Sequence, residues 1–131
     1  MDVVITEWAL QTYLDLKHKR VFDDAYYNSD IRPNAEKLKL YPNDVFFQGN
    51  GWGPAIEPGN GNNIQHGWKL KWRNVGSGRV QLRVCTVLLN GKAYLCNGYV
   101  RNANTNPVQM ARLKIHISKI SSNQYISRGL L

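Results

Sequence analysis

Apolar residues recur with a helical period near both ends of the chain and alternate with polar residues between them. A short apolar run, residues 2–5, predicts a first strand. Thr6 is a favoured helix N-cap residue, and the apolar residues after it predict a helix to about Arg20. Five apolar residues stand at helical spacing in this segment: Ala9, Leu10, Tyr13, Leu14 and Leu16.

A second helical segment is predicted from Asp23 to Tyr41. Pro33 should kink or restart it, because proline removes a backbone donor, and Pro42 should end it. Residues 48–67 are rich in glycine, asparagine and proline, which predicts a long irregular loop.

After this loop the period changes to two, the pattern of half-buried strands. The pattern predicts a strand over 68–73, a turn at 74–78, a strand over 79–89 and a strand over 93–100. Asn90-Gly91, between the last two strands, is a strong signal for a two-residue hairpin turn.

A last helix is predicted after these strands, and Pro107 suits its first turn. The apolar residues at roughly helical spacing are Val108, Ala111, Ile115 and Ile120. The tail, residues 124–131, is either a short strand or loose. No repeat or linker divides the chain, so we expect one domain over 1–131. The order β-α-α-β-β-β-α predicts an α+β fold, with two helices packed on one antiparallel sheet and a C-terminal helix.

Composition limits the class of protein. The 131 residues are 43% hydrophobic and 20% charged, which is ordinary for a folded domain. No apolar run approaches the roughly 20 residues that span a bilayer, and the first residues do not have the pattern of a signal peptide. We therefore expect no membrane partner and a cytoplasmic location, where Cys85 and Cys96 would be free thiols.

Charge is divided unevenly along the chain, and the division indicates a polyanionic partner. The formal net charge is +8, yet all nine acidic residues lie between Asp2 and Glu57, where six Lys and Arg leave that segment at −3. From Gly67 to Leu131 there are eleven Lys and Arg and no acidic residue. This self-repulsion is either tolerated in solvent or neutralised by a partner. RNA is the first candidate, since binding releases its condensed counterions, and an acidic protein is the second.

The predicted hairpin gathers basic residues on one face of the sheet. If Trp68, Leu70 and Trp72 enter the core, the intervening side chains share the other face with those of the next strand. They are Lys69, Lys71, Arg73, Arg79, Gln81 and Arg83. Like charges on facing strands cost up to about 1 kcal/mol each, so five cations here indicate a binding function. The structural alternative is that their long stems splay into water.

Further candidates lie near this face. Arg101 ends the third predicted strand just beyond Tyr99 and can reach the rim of the face. Arg112 and Lys114, on the last helix, either line a groove beside the sheet or are ordinary solvated charges.

The histidines are weaker candidates. His66 precedes Lys69 at the end of the loop and is a candidate for the site, and His116 can point either way on the last helix. No His/Cys cluster has metal-ligand spacing, so we expect no metal and no cofactor.

Together these segments resemble the RelE/ParE superfamily of bacterial toxins, nearer to its RelE and HigB ribonuclease branches. The resemblance is carried by residues 68–72 (WKLKW), by Gly78-Arg79-Val80, by residues 95–101 (LCNGYVR) and by Pro107 leading into 108–112 (VQMAR). The order of elements extends it over essentially the whole chain. The glycine-rich loop 48–67 and the tail exceed the compact family pattern.

The resemblance implies the toxin of a type II toxin–antitoxin system. Such a protein is a metal-independent endoribonuclease that cleaves mRNA, in many members on the ribosome, to inhibit translation and growth. A separate acidic antitoxin protein holds it silent, and it would cover the Lys69–Arg83 face or pin a helix.

The family's catalytic positions match Lys69, Lys71, Arg79 and Arg101. The RelE tyrosine that stacks on substrate falls near Pro107 or Val108, neither of which can replace it, so Tyr99 or Tyr125 would have to supply the stack. RNA-binding roles are expected for Arg73, Arg83, His66, Tyr99, Arg112 and Lys114.

RNA cleavage by the 2′-hydroxyl needs a base, stabilisation of charge on phosphorus and an acid for the leaving 5′-oxygen. Arg79 and Arg101 suit the second task, because a guanidinium binds phosphate in bidentate fashion. For the base, our hypothesis is that crowding by Lys69 and Arg79 lowers the pKa of Lys71 enough for proton transfer. His66 and His116 are the rival bases.

Three other functions stay open. A ParE-like protein shares the fold and inhibits DNA gyrase without cutting RNA, although it does not need the Lys and Arg arrangement found here. A non-enzymatic RNA- or ribosome-binding module would bind RNA with steep salt dependence and never cleave it. A basic half that docks only an acidic protein is the third.

Overall fold

The computed structural model describes residues 1–131 and confirms an α+β architecture built on a six-stranded sheet. The strands are β1 (Val3–Thr6), β2 (Trp52–Ile56), β3 (Asn63–Val75), β4 (Val80–Leu89), β5 (Lys92–Val100) and β6 (Ser127–Leu130). Their order across the sheet is β2-β3-β4-β5-β1-β6. Only β1 and β5 pair in parallel, and every other neighbouring pair is antiparallel.

Helices flank this sheet and occupy most of the chain before β2. They are α1 (Glu7–His18), α2 (Asp24–Tyr26), α3 (Arg32–Glu36) and α4 (Thr105–Ser121). A π-helical turn, Tyr27–Ile31, joins α2 to α3, and 3-10 turns follow at Lys37–Leu40 and Val45–Gln48. None of these helices combines the length and the apolar character that crossing a membrane requires.

The predicted starts of both N-terminal helical segments are confirmed. Thr6 caps α1, because its hydroxyl accepts a hydrogen bond from the Ala9 amide at 3.2 Å and donates one to the Leu95 carbonyl at 2.7 Å. Asp23 caps α2 through the Tyr26 amide at 2.8 Å. Pro33 lies two residues after the π-helical turn Tyr27–Ile31, so the helical segment changes its winding just before the proline and then continues as α3.

The sheet separates two apolar cores. On one side, which we call the α1 face, Leu16 of α1 and residues of the segment 22–38 pack on Leu70, Trp72 and Leu82. On the other side, the α4 face, α4 packs on a second set of buried residues: Val4, Ala55, Ile64, Cys85, Val87, Tyr94, Cys96 and Tyr99. The helices therefore cover both surfaces of the sheet.

The helix predicted around Pro107 exists as α4, but most of its predicted apolar stripe faces outward. Val108 and Ile115 are 51% and 55% exposed, and the buried positions are Met110, Leu113, His116 and Ile120. Apolar residues occupy both sides of this helix at helical spacing, so periodicity alone could not choose between them. The sheet selects the side with Met110 and Leu113.

The loop predicted over 48–67 is partly wrong, because strand β2 and the start of β3 lie inside it. Trp52 stacks on Trp68 with ring centroids 5.2 Å apart, and Pro54 stands opposite Trp68 in the ladder. Pro54 is tolerated because β2 is an edge strand, where a missing donor breaks no inner ladder. The tail forms the other edge strand, β6, which pairs with β1.

Asn90-Gly91 forms the predicted two-residue hairpin turn between β4 and β5. Leu89 pairs with Lys92, Val87 with Tyr94 and Thr86 with Leu95. Beyond that point β5 shifts register, so that Val84 faces Gly98. Cys85 and Cys96 are both buried and free.

Candidate nucleic-acid interface

Five cations gather on the α4 face of the sheet, and we call this cluster the basic face. Its members are Lys69, Lys71, Arg73, Arg83 and Arg101. Lys71 stands directly opposite Arg83, while Leu70 opposite Val84 and Trp72 opposite Leu82 point to the other core, so the predicted alternation is confirmed. The Arg101 amide donates to the Gln81 carbonyl at 2.8 Å, which brings the end of β5 beside these residues.

Two of these cations are deeply buried. Arg83 is 6% exposed and Lys69 is 9% exposed, whereas Lys71 is half-buried and Arg73 and Arg101 are exposed. The Arg83 guanidinium donates to the Gln81 side-chain oxygen at 2.8 Å and to the Leu82 carbonyl at 3.3 Å. Burying a cation next to neutral acceptors is costly, because water solvates charge better.

No carboxylate compensates the basic face. The molecule has six ion pairs, and none of them includes a member of the face. The acidic partners are Glu7, Asp15, Asp24, Glu36 and Glu57. The five cations of the basic face therefore share one side of the sheet without an ion-pair partner among the carboxylates of the chain.

The pKa values of Lys69 and Lys71 are lowered by burial and by the neighbouring cations. Burial, followed by the charges of Lys71, Arg83 and Arg101, lowers the pKa of Lys69. Burial also lowers the pKa of Lys71, and Arg83, Arg73 and Arg101 lower it further. The direction expected for the pKa of Lys71 thus agrees with the structure, but burial is the largest cause, and Arg79 is not among the charges that act on this group.

Arg79 is not on the strand where the sequence places it. A register shift between Trp72 and Val75 lengthens β3, so the turn occupies 76–79 instead of 74–78. Arg79 ends this turn, exposed, with a φ of 49°, and its amide donates to the Gly76 carbonyl at 3.2 Å. It does not act on the pKa of Lys69, Lys71 or Arg83, and Arg83 takes the place beside Lys71 instead.

His66 is exposed and has a φ of 68°, in the left-handed region that histidine seldom adopts. It lies on β3, three residues before Lys69, and its expected role in the site stays a prediction.

Tyr99 lies among the cations but cannot stack on a base. It is 4% exposed, stands opposite Arg83, and its hydroxyl donates to the Asn106 side-chain oxygen at 2.8 Å. Burial raises its pKa. Its ring is therefore not open for the expected stacking on a base, because it is buried and its hydroxyl is bound to Asn106 in the first turn of α4. Tyr125 packs against Tyr94 in the apolar core, with ring centroids 5.4 Å apart.

His116 is buried beneath α4 and is wrong as a rival base. It is 8% exposed, its Nδ1 lies 3.1 Å from the Asn97 side-chain oxygen, and its ring stacks on Trp8 at a centroid distance of 3.9 Å. Burial lowers the pKa of His116 to about 4. The ring connects α4 to α1 and to β5, which the sequence pattern did not indicate.

Arg112 and Lys114 are exposed on α4 and lie outside the basic face. The Lys114 ammonium pairs with Glu57 at 2.9 Å, and Arg112 acts on the pKa of His116. Neither acts on the pKa of Lys69, Lys71 or Arg83. The groove role expected for them is not supported.

Gly53 belongs to the site although the sequence did not single it out. It is buried on β2 opposite Lys69, and a β-carbon at this position would lie 2.9 Å from the Lys71 ammonium nitrogen. The sequence offered one signal for this strand: small residues stand at 51, 53 and 55, and a period of two is typical of a strand with one crowded face. No group of three or more His, Cys, Asp and Glu side chains is placed to hold a metal ion.

No protein-family model matches this chain, and no curated protein matches it.

Proposed function

We propose that the basic face binds the phosphates of RNA and that the protein is an mRNA-cleaving toxin. One observation carries the proposal: five cations share one sheet surface with no carboxylate among their partners, and two of them are more than nine-tenths buried. Such a cluster is costly in the free protein and is compensated when a polyanion binds.

The order of elements supports the toxin class. A first strand, a helical segment, three antiparallel strands and α4 follow one another as in the RelE/ParE superfamily, and β2 and β6 are additions at the two sheet edges. Of the four residues that resemble the family's catalytic set, Lys69, Lys71 and Arg101 lie near one another, and Arg83 stands opposite Lys71 where Arg79 was expected.

In the mechanism that we propose, Lys71 in its neutral form accepts the proton of the 2′-hydroxyl, and the freed oxygen attacks the adjacent phosphorus. Arg83 and Arg101 stabilise the extra negative charge on the phosphoryl oxygens. A water molecule gives its proton to the departing 5′-oxygen as the P–O bond breaks, and the hydroxide that remains takes back the proton held by Lys71. The products are a 2′,3′-cyclic phosphate and a 5′-hydroxyl end, and no metal ion enters the step.

Induced expression with mapping of mRNA 5′ ends tests this function. We expect growth arrest and new ends inside coding sequences for the native protein, and neither for Lys71→Met. Lys92→Met, which removes an exposed cation at the hairpin end, is the matched control and should arrest growth as well. Arrest with intact mRNA would contradict the proposal and favour a ParE-like inhibitor of gyrase.

A second candidate is a non-enzymatic RNA- or ribosome-binding module. The burial of Tyr99 and His116 favours it, because neither side chain is then open to take part in proton transfer to or from bound RNA. Purified protein that binds RNA at high affinity and leaves it uncut, both free and on ribosomes, would select this function.

The proposed partner is a separate acidic antitoxin protein in the same cytoplasm as the mRNA. Its carboxylates would replace the RNA phosphates on the basic face. We expect a co-purified acidic protein to compete with RNA for binding, and a variant without Lys69 and Lys71 to lose both partners together.

A further inference from the structure

Strand β2 lies beside the basic face, and Gly53 is the residue of this strand that stands next to the Lys71 ammonium. Gly53 is buried and pairs with Lys69 on β3. A β-carbon at Gly53 would lie 2.9 Å from Nζ of Lys71 and 3.3 Å from its Cε. The end of the lysine side chain therefore occupies the space that any other residue at position 53 would fill.

The residue just before this strand, Gly51, also holds the backbone of Lys71. The Lys71 amide donates to the Gly51 carbonyl at 2.9 Å. On its other sides the ammonium faces charges of its own sign: Arg83 on the facing strand β4, Arg73 on β3 and Arg101 at the end of β5. Contact with β2 keeps the ammonium partly out of water among these cations, and burial is the main cause of its lowered pKa.

We propose that Gly53 is a positioning residue for Lys71, because its missing side chain lets the ammonium rest against β2 and face the phosphate bound on the basic face. This inference rests on the proposed function of that face. It assigns a role to a strand that lies outside the segments resembling the toxin family.

Gly53→Ala tests the proposal with little risk to the fold. The φ of Gly53 lies outside the left-handed region, so alanine is tolerated by the backbone. The atoms that a β-carbon would meet are the far end of a flexible side chain, which can move away. Gly49→Ala is the matched control, since its β-carbon would make only an ordinary contact of 3.6 Å to the Phe46 carbonyl.

The first readout is the titration of Lys71 in the free protein, followed by NMR of the lysine side chains and assigned with Lys71→Met. We expect the Lys71 midpoint to rise in Gly53→Ala, because the displaced ammonium gains water, and to stay unchanged in Gly49→Ala. An unchanged midpoint in Gly53→Ala would overturn the proposal. This readout needs no RNA, so it stands even where cleavage fails.

The second readout is the pH profile of RNA cleavage. The pH profile of cleavage by Gly53→Ala should move to higher pH by the same amount as the titration midpoint of Lys71. If this shift is one pH unit, the cleavage rate at a fixed pH below the midpoint should fall about tenfold. In a Lys71→Met background the Gly53→Ala change should have no effect on cleavage, because the two positions act together. A loss of equal size at every pH, or one that persists without Lys71, would show a merely structural role and overturn the proposal.

Discussion

At the scale of single residues, Lys69 shows how the site is held at the expense of stability. It is 9% exposed, lies among three other cations and has no ion-pair partner. A folded-state pKa below the unfolded value means that the charged form is destabilising at neutral pH, and the penalty disappears only as the pH rises toward the unfolded value.

We therefore expect Lys69→Met to stabilise the free protein and weaken its binding to RNA. The unfolding free energy should rise by about 1–2 kcal/mol, since a buried unpaired charge is replaced by an apolar chain of similar length. Urea titration measures the first effect and fluorescence anisotropy with a labelled single-stranded RNA the second. Lys92→Met, an exposed position, should change neither; a destabilised Lys69→Met protein would contradict this account.

His116 gives the protein a specific dependence of stability on pH. Its folded pKa of about 4 lies below the usual value near 6.5, so the unfolded state binds the proton more readily. The stability that it contributes is complete above about 6.5 and is lost as the pH falls through about 4, and by linkage it amounts to about 3 kcal/mol.

His116→Gln should remove this dependence, because glutamine keeps a hydrogen-bonding amide near Asn97 without titrating. Unfolding free energies measured between pH 4 and 7 should fall toward acid in the native protein and remain flatter in the variant. Parallel curves would show that other groups control acid stability. His18→Gln, at an exposed position, serves as the control.

At the scale of elements, α4 determines which part of the sheet stays open. It covers the sheet with Met110, Leu113 and Ile120, and its first turns lie beside Tyr99 through Asn106. The part of the α4 face that it leaves uncovered carries the basic face.

Two alanine substitutions distinguish the buried side of α4 from its exposed one. Leu113 is fully buried, so Leu113→Ala should lower the unfolding free energy by about 2–5 kcal/mol. Ile115 is 55% exposed, so Ile115→Ala should change the unfolding free energy by no more than about 0.5 kcal/mol. Denaturant unfolding measures both; equal losses would mean that α4 packs with the side that its sequence pattern first suggested.

Capping and turn residues correctly predicted the helix start and the hairpin that they form themselves. Sequence pattern failed for elements whose structure is determined by packing against other parts of the chain. Thr6 and Asn90-Gly91 fix a helix start and a hairpin through hydrogen bonds and turn geometry of their own residues, and both predictions are confirmed. Strand β2 was missed because its glycines and Pro54 are loop residues by composition, whereas pairing with β3 and the contact of Trp52 with Trp68 determine its structure.

The same division holds for the site. Alternation correctly placed Lys69, Lys71 and Arg83 on one face, because the period of a strand fixes the side that each residue faces. It failed for Arg79, where a register shift near the turn breaks the period, and it could not show that Tyr99 is buried against the start of α4. Burial by another element is a tertiary property that no local pattern contains.

At the scale of the whole molecule, charge is sorted between the two halves of the chain. The segment that contributes α1, α2 and α3 holds most of the acidic residues, and three of the six ion pairs join residues within it. The basic face lies on the opposite surface of the sheet from those helices, and this separation would guide a polyanion toward one side.

RNA binding should consequently depend steeply on salt. Each phosphate neutralised contributes a slope of about −0.7 to the logarithmic plot of affinity against salt for single strands, so five contacts give about −3.5. Arg73→Gln, at the exposed end of the face, should reduce the slope by about one contact. A slope near zero would mean that cations do not carry the binding. Arg20→Gln, an exposed cation of the helical half, is the control.

The account depends on RNA binding to one surface, and an NMR footprint with a 2′-O-methylated single-stranded RNA, which cannot be cut, tests this most directly. The account predicts that amide and side-chain signals of Lys69, Lys71, Arg83 and Arg101 shift on titration, while those of α1 remain unchanged. Shifts centred on α1, or none at RNA concentrations that saturate binding, would contradict it.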